Sequence, residues 1–510
     1  MGFMVDACLK ASSIRLIKST IAEEANQVSK LGLDDVEMFS KIISRAIKNK
    51  LRRLPLEELK QMTLDSFDLF LEGQGSLGIG STPTQAQANI IRSLTKVILH
   101  QISDSSNYEL TEGQENLLIS LCVEKLSVEE FLENSGLNTI YDNFANKVGQ
   151  ILRDEDEVIY SNEDIDAKKS TCFQVSFYCC LEDSCAADDS EIMEEFDKID
   201  LQDGSGDGEE EETLVSIDPS VSKLPISRET LNQTKIQLLP SNTIEGMWES
   251  LYFEDNVKQK LFSYATISLK MSQMSTKSIS STLIANNKLL LVHGPPGTGK
   301  TTVCKALCQK LAIRQNESID SLETNCHPTI IVEVSCSRIF SRWFGESSKN
   351  LDNIFKDVEN LLIDSEQNKK FVCLLIDEVE TIASSRSGLM NKNETTDGIR
   401  VVNTLLTQLD NLKKYDNLLI LATSNLLDAL DPAFVDRADG IFFIGRPSEL
   451  GTVRILTSTI EELINAGIIK DIGNSSILKS DDYQQVIQSL ASKCSVCYFV
   501  SLIFEKKVPY

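Results

Sequence analysis

The chain has 510 residues, with 76 acidic and 50 basic side chains and a formal net charge of −26. That length exceeds the usual span of one domain, and the charge argues against direct nucleic-acid binding, because phosphates demand clustered Lys and Arg. No apolar run approaches the roughly 18 residues of a membrane helix, so no membrane association is expected, and the 13 cysteines stand at irregular positions, as reduced thiols do.

The first twenty residues scatter Lys10, Arg15 and Lys18 and lack a long apolar centre, so they do not read as a secretory signal. Residues 1–150 read as a mostly helical accessory region, with a proline near a helix start in Leu51–Leu59. A flexible break follows at Gly73–Ser81, and helical patterning resumes at Gln85–Leu99 and Gln114–Glu130. The residues leave plain structural support and partner binding equally open there. Thr171–Leu181 mixes β-branched and aromatic residues and reads as a strand within a small α+β segment, 151–182. Between Glu182 and Glu212 stand fifteen acidic residues and one basic one, Lys198. Such a run repels itself and buries little, so 183–237 is expected to be a disordered acidic linker, with a docking tail for a basic partner as the alternative. A calcium loop at Asp203–Gly208 fails, because its closing acidic position falls on Leu214.

Beyond the linker, strand and helix patterns alternate, which predicts a parallel sheet between helices. Leu289–His293 is an apolar strand followed by Gly294-Pro295-Pro296-Gly297-Thr298-Gly299-Lys300-Thr301, the spacing of a phosphate-binding loop between a buried strand and a helix start. Glycines let backbone N–H groups close around an anion, and the helix N-terminus adds partial positive charge. Lys300 would reach the β- and γ-phosphates of ATP, and Thr301 would offer its hydroxyl to Mg²⁺. Thr329–Val334 reads as a further strand. Phe371–Ile376 reads as a buried strand ending in Asp377-Glu378, where Asp377 suits Mg²⁺, partly through water, and Glu378 can polarise the attacking water. Leu418–Ala422 is another strand, running into Thr423-Ser424-Asn425. Asn425 could orient water near the γ-phosphate or simply cap a turn. Arg437, in Asp431–Asp439, could reach a neighbouring subunit's nucleotide or pair locally with Asp436 or Asp439. Gly440–Ile444 reads as a last strand, and helices are predicted over Lys300–Leu311, Ser348–Leu362 and Ile399–Asn411.

Together these motifs resemble an AAA+ ATPase of the pachytene checkpoint group, which includes the thyroid-receptor-interacting remodeller. The likeness covers 238–447 and takes in the entry segment Met247–Leu251 and the stretch Asp397–Asp410. It implies an AAA+ P-loop core with a helical lid, in which Glu378, Asn425 and Arg437 are catalytic. Gly294, Pro295, Pro296, Gly297, Thr298, Gly299, Lys300, Thr301 and Thr302 would bind nucleotide, with Thr301 and Asp377 toward the metal. Trp343, Phe344 and Gly345, between Arg342 and Glu346, would form a pore loop that grips an extended peptide, although a Trp-Phe pair is otherwise a core feature. Ser384–Asp397 is similar to a second pore loop, with Arg386 and Lys392 facing the channel or solvent. The strand at Thr171–Leu181 is similar to the last strand of the group's substrate-recognition domain.

The implied activity is ATP hydrolysis by a homohexamer that remodels HORMA-domain proteins, directly or through an adaptor, at chromosomes in the nucleus and also in the cytoplasm. Two other readings are a nucleotide-dependent scaffold and a microtubule-severing ATPase. The single arginine of the 431–439 stretch and the acidic charge disfavour severing. The tail 448–510 departs from the group. It has no Gly-x-Ser-Gly-Arg motif, and Arg454 falls too early to replace the lid arginine. An incomplete lid is therefore expected, from a truncated isoform or a faulty gene end. Cys494 and Cys497 have the C-x-x-C spacing but no second pair, so zinc is not expected.

Overall fold

In the computed structural model the described residues fall into two units, those up to Cys179 and those from Cys180 onward. The structure describes residues 2–27, 34–55, 59, 85–104, 110–131, 172–180, 224–253, 256–278, 287–314, 329–336, 347–367, 371–384, 396–465 and 481–496.

The first unit is a three-stranded sheet under helices. Strand β1 (Gly2–Leu9) lies between β2 (Val123–Phe131), antiparallel to it, and β3 (Cys172–Tyr178), parallel to it. Phe3, Val5, Ala7 and Leu9 alternate along β1 and share one core with the helices α1 (Ala11–Gln27), α2 (Asp34–Arg53), α3 (Gln85–Asp104) and α4 (Glu112–Cys122). The helices contribute stripes at helical spacing, such as Ile14, Ile17 and Ile21 on α1, or Phe39, Ile43, Ile47 and Leu51 on α2. The Phe3 and Phe173 rings stack with centroids 5.5 Å apart. Buried Glu115 joins α4 to α2 by accepting from Asn49 at 2.7 Å and Arg53 at 3.0 Å.

Three expectations are corrected here. The 1–150 region is mostly helical among the described residues, as expected, but it is not separate from 151–182, because β1 pairs with strands on both sides of that boundary. The helix expected over Gln114–Glu130 stops at Cys122, and Val123–Phe131 continues as a strand. Its Leu126 and Val128 point inward at period two, and pairing with β1 outweighs local helix preference. The linker expected over 183–237 ends earlier. Helix α5 (Arg228–Gln233) and strand β4 (Thr234–Leu239) already belong to the second unit. The rest of the expected linker that lies between 181 and 223 falls outside the described residues.

The second unit is α/β, with a six-stranded sheet in the order β4-β6-β7-β8-β5-β9. Strands β5 (Leu289–His293), β6 (Thr329–Ser335), β7 (Phe371–Asp377), β8 (Leu418–Ser424) and β9 (Gly440–Phe443) are mutually parallel. Edge strand β4 runs antiparallel to β6, a departure from the parallel sheet expected. The central strands are apolar on both faces because helices cover both. Leu291, Val332, Leu374 and Ile420 pack under α9 (Ser347–Gln367) and α10 (Thr396–Leu412). Helices α6 (Met247–Ser250), α7 (Val257–Ser278) and α8 (Lys300–Arg314) lie on the other side of the fold. After the short α11 (Pro432–Val435) and β9, the chain forms α12 (Glu449–Asn465) and α13 (Asp481–Val496), which pack together.

Lys288 opens β5 at a left-handed φ of 59° and is buried. Its ammonium donates to the Lys413 carbonyl at 3.1 Å and to that of Tyr415, just past the end of α10. Its own N–H, and that of Asn287, donate to the Asp439 carboxylate. No described helix is long and apolar enough to cross a membrane.

Candidate active site

The carboxyl ends of β5, β7 and β8 meet at one edge of the sheet, where open parallel sheets bind ligands. From β5 the chain enters the loop at Gly294. A Cβ there would lie 2.0 Å from the Ile444 carbonyl oxygen, so only glycine allows this close approach. Gly297 and Gly299 take φ of 75° and 84°, which turn the backbone into the start of α8. Lys300 is buried and donates from Nζ to the Pro295 carbonyl at 2.8 Å, while Thr298 Oγ1 donates to the same carbonyl at 2.9 Å. Burial lowers the pKa of the Lys300 ammonium, and the carboxylates of Glu380, Asp377 and Glu378 oppose that shift.

Asp377 collects two hydroxyls on one oxygen. Thr301 Oγ1 donates to Oδ1 at 2.8 Å, and Thr423 Oγ1 donates to the same atom. Register explains the second contact. Ile376 pairs with Ala422, so the next step brings Asp377 level with Thr423. Thr423 also accepts the Glu378 N–H at 3.1 Å. Glu378 is exposed at φ 55°, ψ 48°, a left-handed conformation unusual for glutamate. Partial desolvation at the strand tip first, then the charges of Asp377 and Glu380, raise its pKa from the ordinary glutamate value.

Asn425 follows β8. Its backbone N–H and its Nδ2 both donate to Glu380 Oε1, at 3.1 and 2.7 Å. Arg437 bonds elsewhere. Its guanidinium makes a two-pronged contact with Asp410 of α10, at 3.1 Å from Nε and 2.7 Å from Nη2, and donates from Nη1 to Ala433 O at 2.6 Å. The local pairing weighed with Asp436 or Asp439 is thus replaced by one with Asp410, whose pKa the Arg437 hydrogen bond lowers.

The entry segment supports the loop from behind. Trp248 is buried edge-on to Phe262, and Lys258 donates to the Leu251 carbonyl at 2.8 Å. Gln309 of α8 accepts the Ser241 N–H at 3.0 Å and donates to the Ser241 carbonyl at 3.1 Å. Arg454 of α12 lies over the Tyr252 ring at 4.6 Å, which joins the helix after β9 to this segment.

The structure therefore brings Gly294–Thr302, Asp377, Glu378 and Asn425 to one edge, and it joins Arg437 to α10. Trp343, Phe344 and Gly345, and Arg386 and Lys392, lie outside the described residues. The motifs did not single out Glu380, Thr423 or Asp410. Glu380 stands two residues past Glu378 in Asp-Glu-Val-Glu, and Thr423 stands two before Asn425, but strand register in the fold is what sets it beside Asp377.

A glycine-clamped loop between strand and helix, with a hydroxyl-bonded aspartate and a glutamate at the tip of a neighbouring parallel strand, defines a nucleotide-binding P-loop ATPase core. Residues 290–446 match the family "ATPase family associated with various cellular activities (AAA)". Over 97% of its length the chain is 47% identical to Pachytene checkpoint protein 2 of Saccharomyces cerevisiae, covering 92% of that protein. The Pachytene checkpoint protein 2 homolog of Arabidopsis thaliana is 41% identical over 50% of this chain and 52% of its own length. The solved structure of C. elegans PCH-2 is similar at a TM-score of 0.45 and 24% identity, covering 81% of this chain and 86% of that one. The chain belongs to the pachytene checkpoint protein 2 family of AAA ATPases.

Proposed function

We propose that this chain hydrolyses ATP at the edge formed by β5, β7 and β8, and uses the cycle to remodel a protein client. The observation that carries the hydrolytic part is the meeting of Thr301, Thr423 and Asp377 on one carboxylate oxygen, with Glu378 beside it. Thr301 and Asp377 offer hard oxygen atoms 2.8 Å apart, a donor set that fits Mg²⁺. Bound there, the ion would neutralise charge on the transferred phosphoryl group. Within the Gly294–Thr302 loop the backbone N–H groups from Gly297 onward would hold the phosphates, since Pro295 and Pro296 have none, and Lys300 would turn from Pro295 to the β- and γ-phosphates. Glu378, with its raised pKa, would accept a proton from the attacking water. Asn425 would donate to the γ-phosphate, and Arg437 would leave Asp410 to stabilise charge on a neighbour's nucleotide.

The sequence likeness supports the rest of the reading: a homohexamer, a pore lined by Trp343 and Phe344, and HORMA-domain clients reached directly or through an adaptor. It also supports work at chromosomes in the nucleus, and in the cytoplasm. Steady-state turnover and nucleotide binding test the core of this. Glu378→Gln is expected to bind ATP normally and to lose about 100-fold or more in kcat, the usual worth of a positioned base. Near-normal turnover in that variant would remove Glu378 from the mechanism. ATP binding without turnover in the unmutated chain would instead support a nucleotide-dependent scaffold.

A further inference from the structure

We propose that Glu380 is a positioning residue for hydrolysis, which fixes the orientation of the Asn425 amide and so the N–H that Asn425 offers to the reacting phosphate. The inference rests on the hydrolytic role given to Asn425 above. An ionised carboxylate can only accept hydrogen bonds. With Oε1 of Glu380 facing it at 2.7 Å, Asn425 must turn its nitrogen, not its oxygen, to that side. An asparagine amide left to itself flips between two orientations of similar shape, and only one of them presents an N–H in a given direction. The same oxygen takes the Asn425 backbone N–H at 3.1 Å, so the end of β8 and its side chain are set by one atom.

Glu380 is mounted to do this. It lies in the 3-10 turn Val379–Thr381 that leaves the Asp377-Glu378 tip, so the residue meant to activate water and the one that orients Asn425 are two positions apart. That turn is closed by Thr381 N–H on Glu378 O at 3.0 Å, and Ser384 Oγ donates to Glu380 O at 2.5 Å. The other oxygen, Oε2, is buried without a hydrogen-bond partner among the described residues. Holding a carboxylate with one oxygen buried and unpaired carries a desolvation cost. Its charge also opposes the effect of burial on Lys300 and adds to the upward shift at Glu378, which places it electrically inside the site.

The test is steady-state hydrolysis of Mg·ATP by the full chain, with ADP binding and a melting curve as checks on folding. Glu380→Ala is expected to lower kcat about 10- to 100-fold, as is typical when a residue that orients a functional group is removed, with KM and ADP affinity little changed. Glu380→Gln, whose amide oxygen can accept the same two bonds, should recover part of that loss. In an Asn425→Ala background, Glu380→Ala should lower kcat little further, because the two act as one unit. If Glu380→Ala does not fold, Glu380→Met fills the same space without an acceptor and takes its place. An unchanged kcat, or a loss equally large with and without Asn425, would overturn this proposal alone. Absence of turnover in the unmutated chain would overturn it together with the hydrolytic reading.

Discussion

Glu378 sits at φ 55° and ψ 48°, a region that costs a side-chain-bearing residue about 1 kcal/mol or more. The conformation sets the carboxylate at the strand tip, exposed, with its N–H tied back to Thr423. Glu378→Gly should therefore raise stability by roughly 1 kcal/mol in chemical denaturation while abolishing turnover, the trade expected where a site holds strain. A more stable but inactive variant supports this, and a destabilised one refutes it. The raised pKa of Glu378 has a readout in turnover. Protonated Glu378 cannot take a proton from water, so kcat should fall on acidification at a pH above that of an ordinary glutamate, about 4.3. A pH profile that stays flat down to that value would contradict the assignment. At this scale the sequence revealed the residues carried by motifs, Lys300, Thr301, Asp377 and Glu378. It did not reveal Glu380 or Asp410, because their parts depend on which side chain faces them after folding. Glu380 meets Asn425 across 45 positions, and Asp410 meets Arg437 across 27.

At the scale of elements, β5, β7 and β8 were legible because each is an apolar run closed by a motif, and two-faced burial demands such runs. Strands β1, β2 and β4 were not. Strand β1 is a short apolar run broken by Asp6, β2 spaces Val123, Leu126, Val128 and Phe131 in a way that fits a helix face as well, and pairing over long separations decides between strand and helix. Gly2 pairs with Phe131 and with Cys172, partners no local window contains. The centre of that sheet should be its weak point. Phe3 is 1% exposed and stacked on Phe173, so Phe3→Ala is expected to cost about 3–5 kcal/mol, seen as a lowered melting temperature for the first unit. A shift corresponding to less than 1 kcal/mol would mean that the β1–β3 contact is not central to this core.

For the whole molecule, family membership was legible because the identifying residues fall in one continuous stretch of the chain, and the AAA match covers 290–446. The sequence singled out no catalytic residue in the first unit, and of its sheet it revealed β3, read at Thr171–Leu181, but not β1 or β2. The assembly can be tested through Arg437. Its ion pair with Asp410 is partly exposed, at 25% and 41%, so by itself the pair contributes little to stability. Arg437→Ala should therefore fold normally and yet lose turnover if the arginine serves a neighbour. Mixing it with Glu378→Gln should restore part of the activity, because one variant supplies the arginine and the other the intact carboxylate. Mixtures as inactive as their components would refute its action across a subunit boundary, and normal turnover in Arg437→Ala alone would place it outside the reaction.

Lys288 gives that arrangement a mechanical sense. One ammonium knots the end of the helix bearing Asp410 to the residue just before the strand that feeds the phosphate loop, and Asp439, two residues past Arg437, grips the same spot. The arginine and the loop thus hang from a common root. In the ring proposed above, drawing the guanidinium away from Asp410 would load the same contacts that hold the start of this subunit's own phosphate loop.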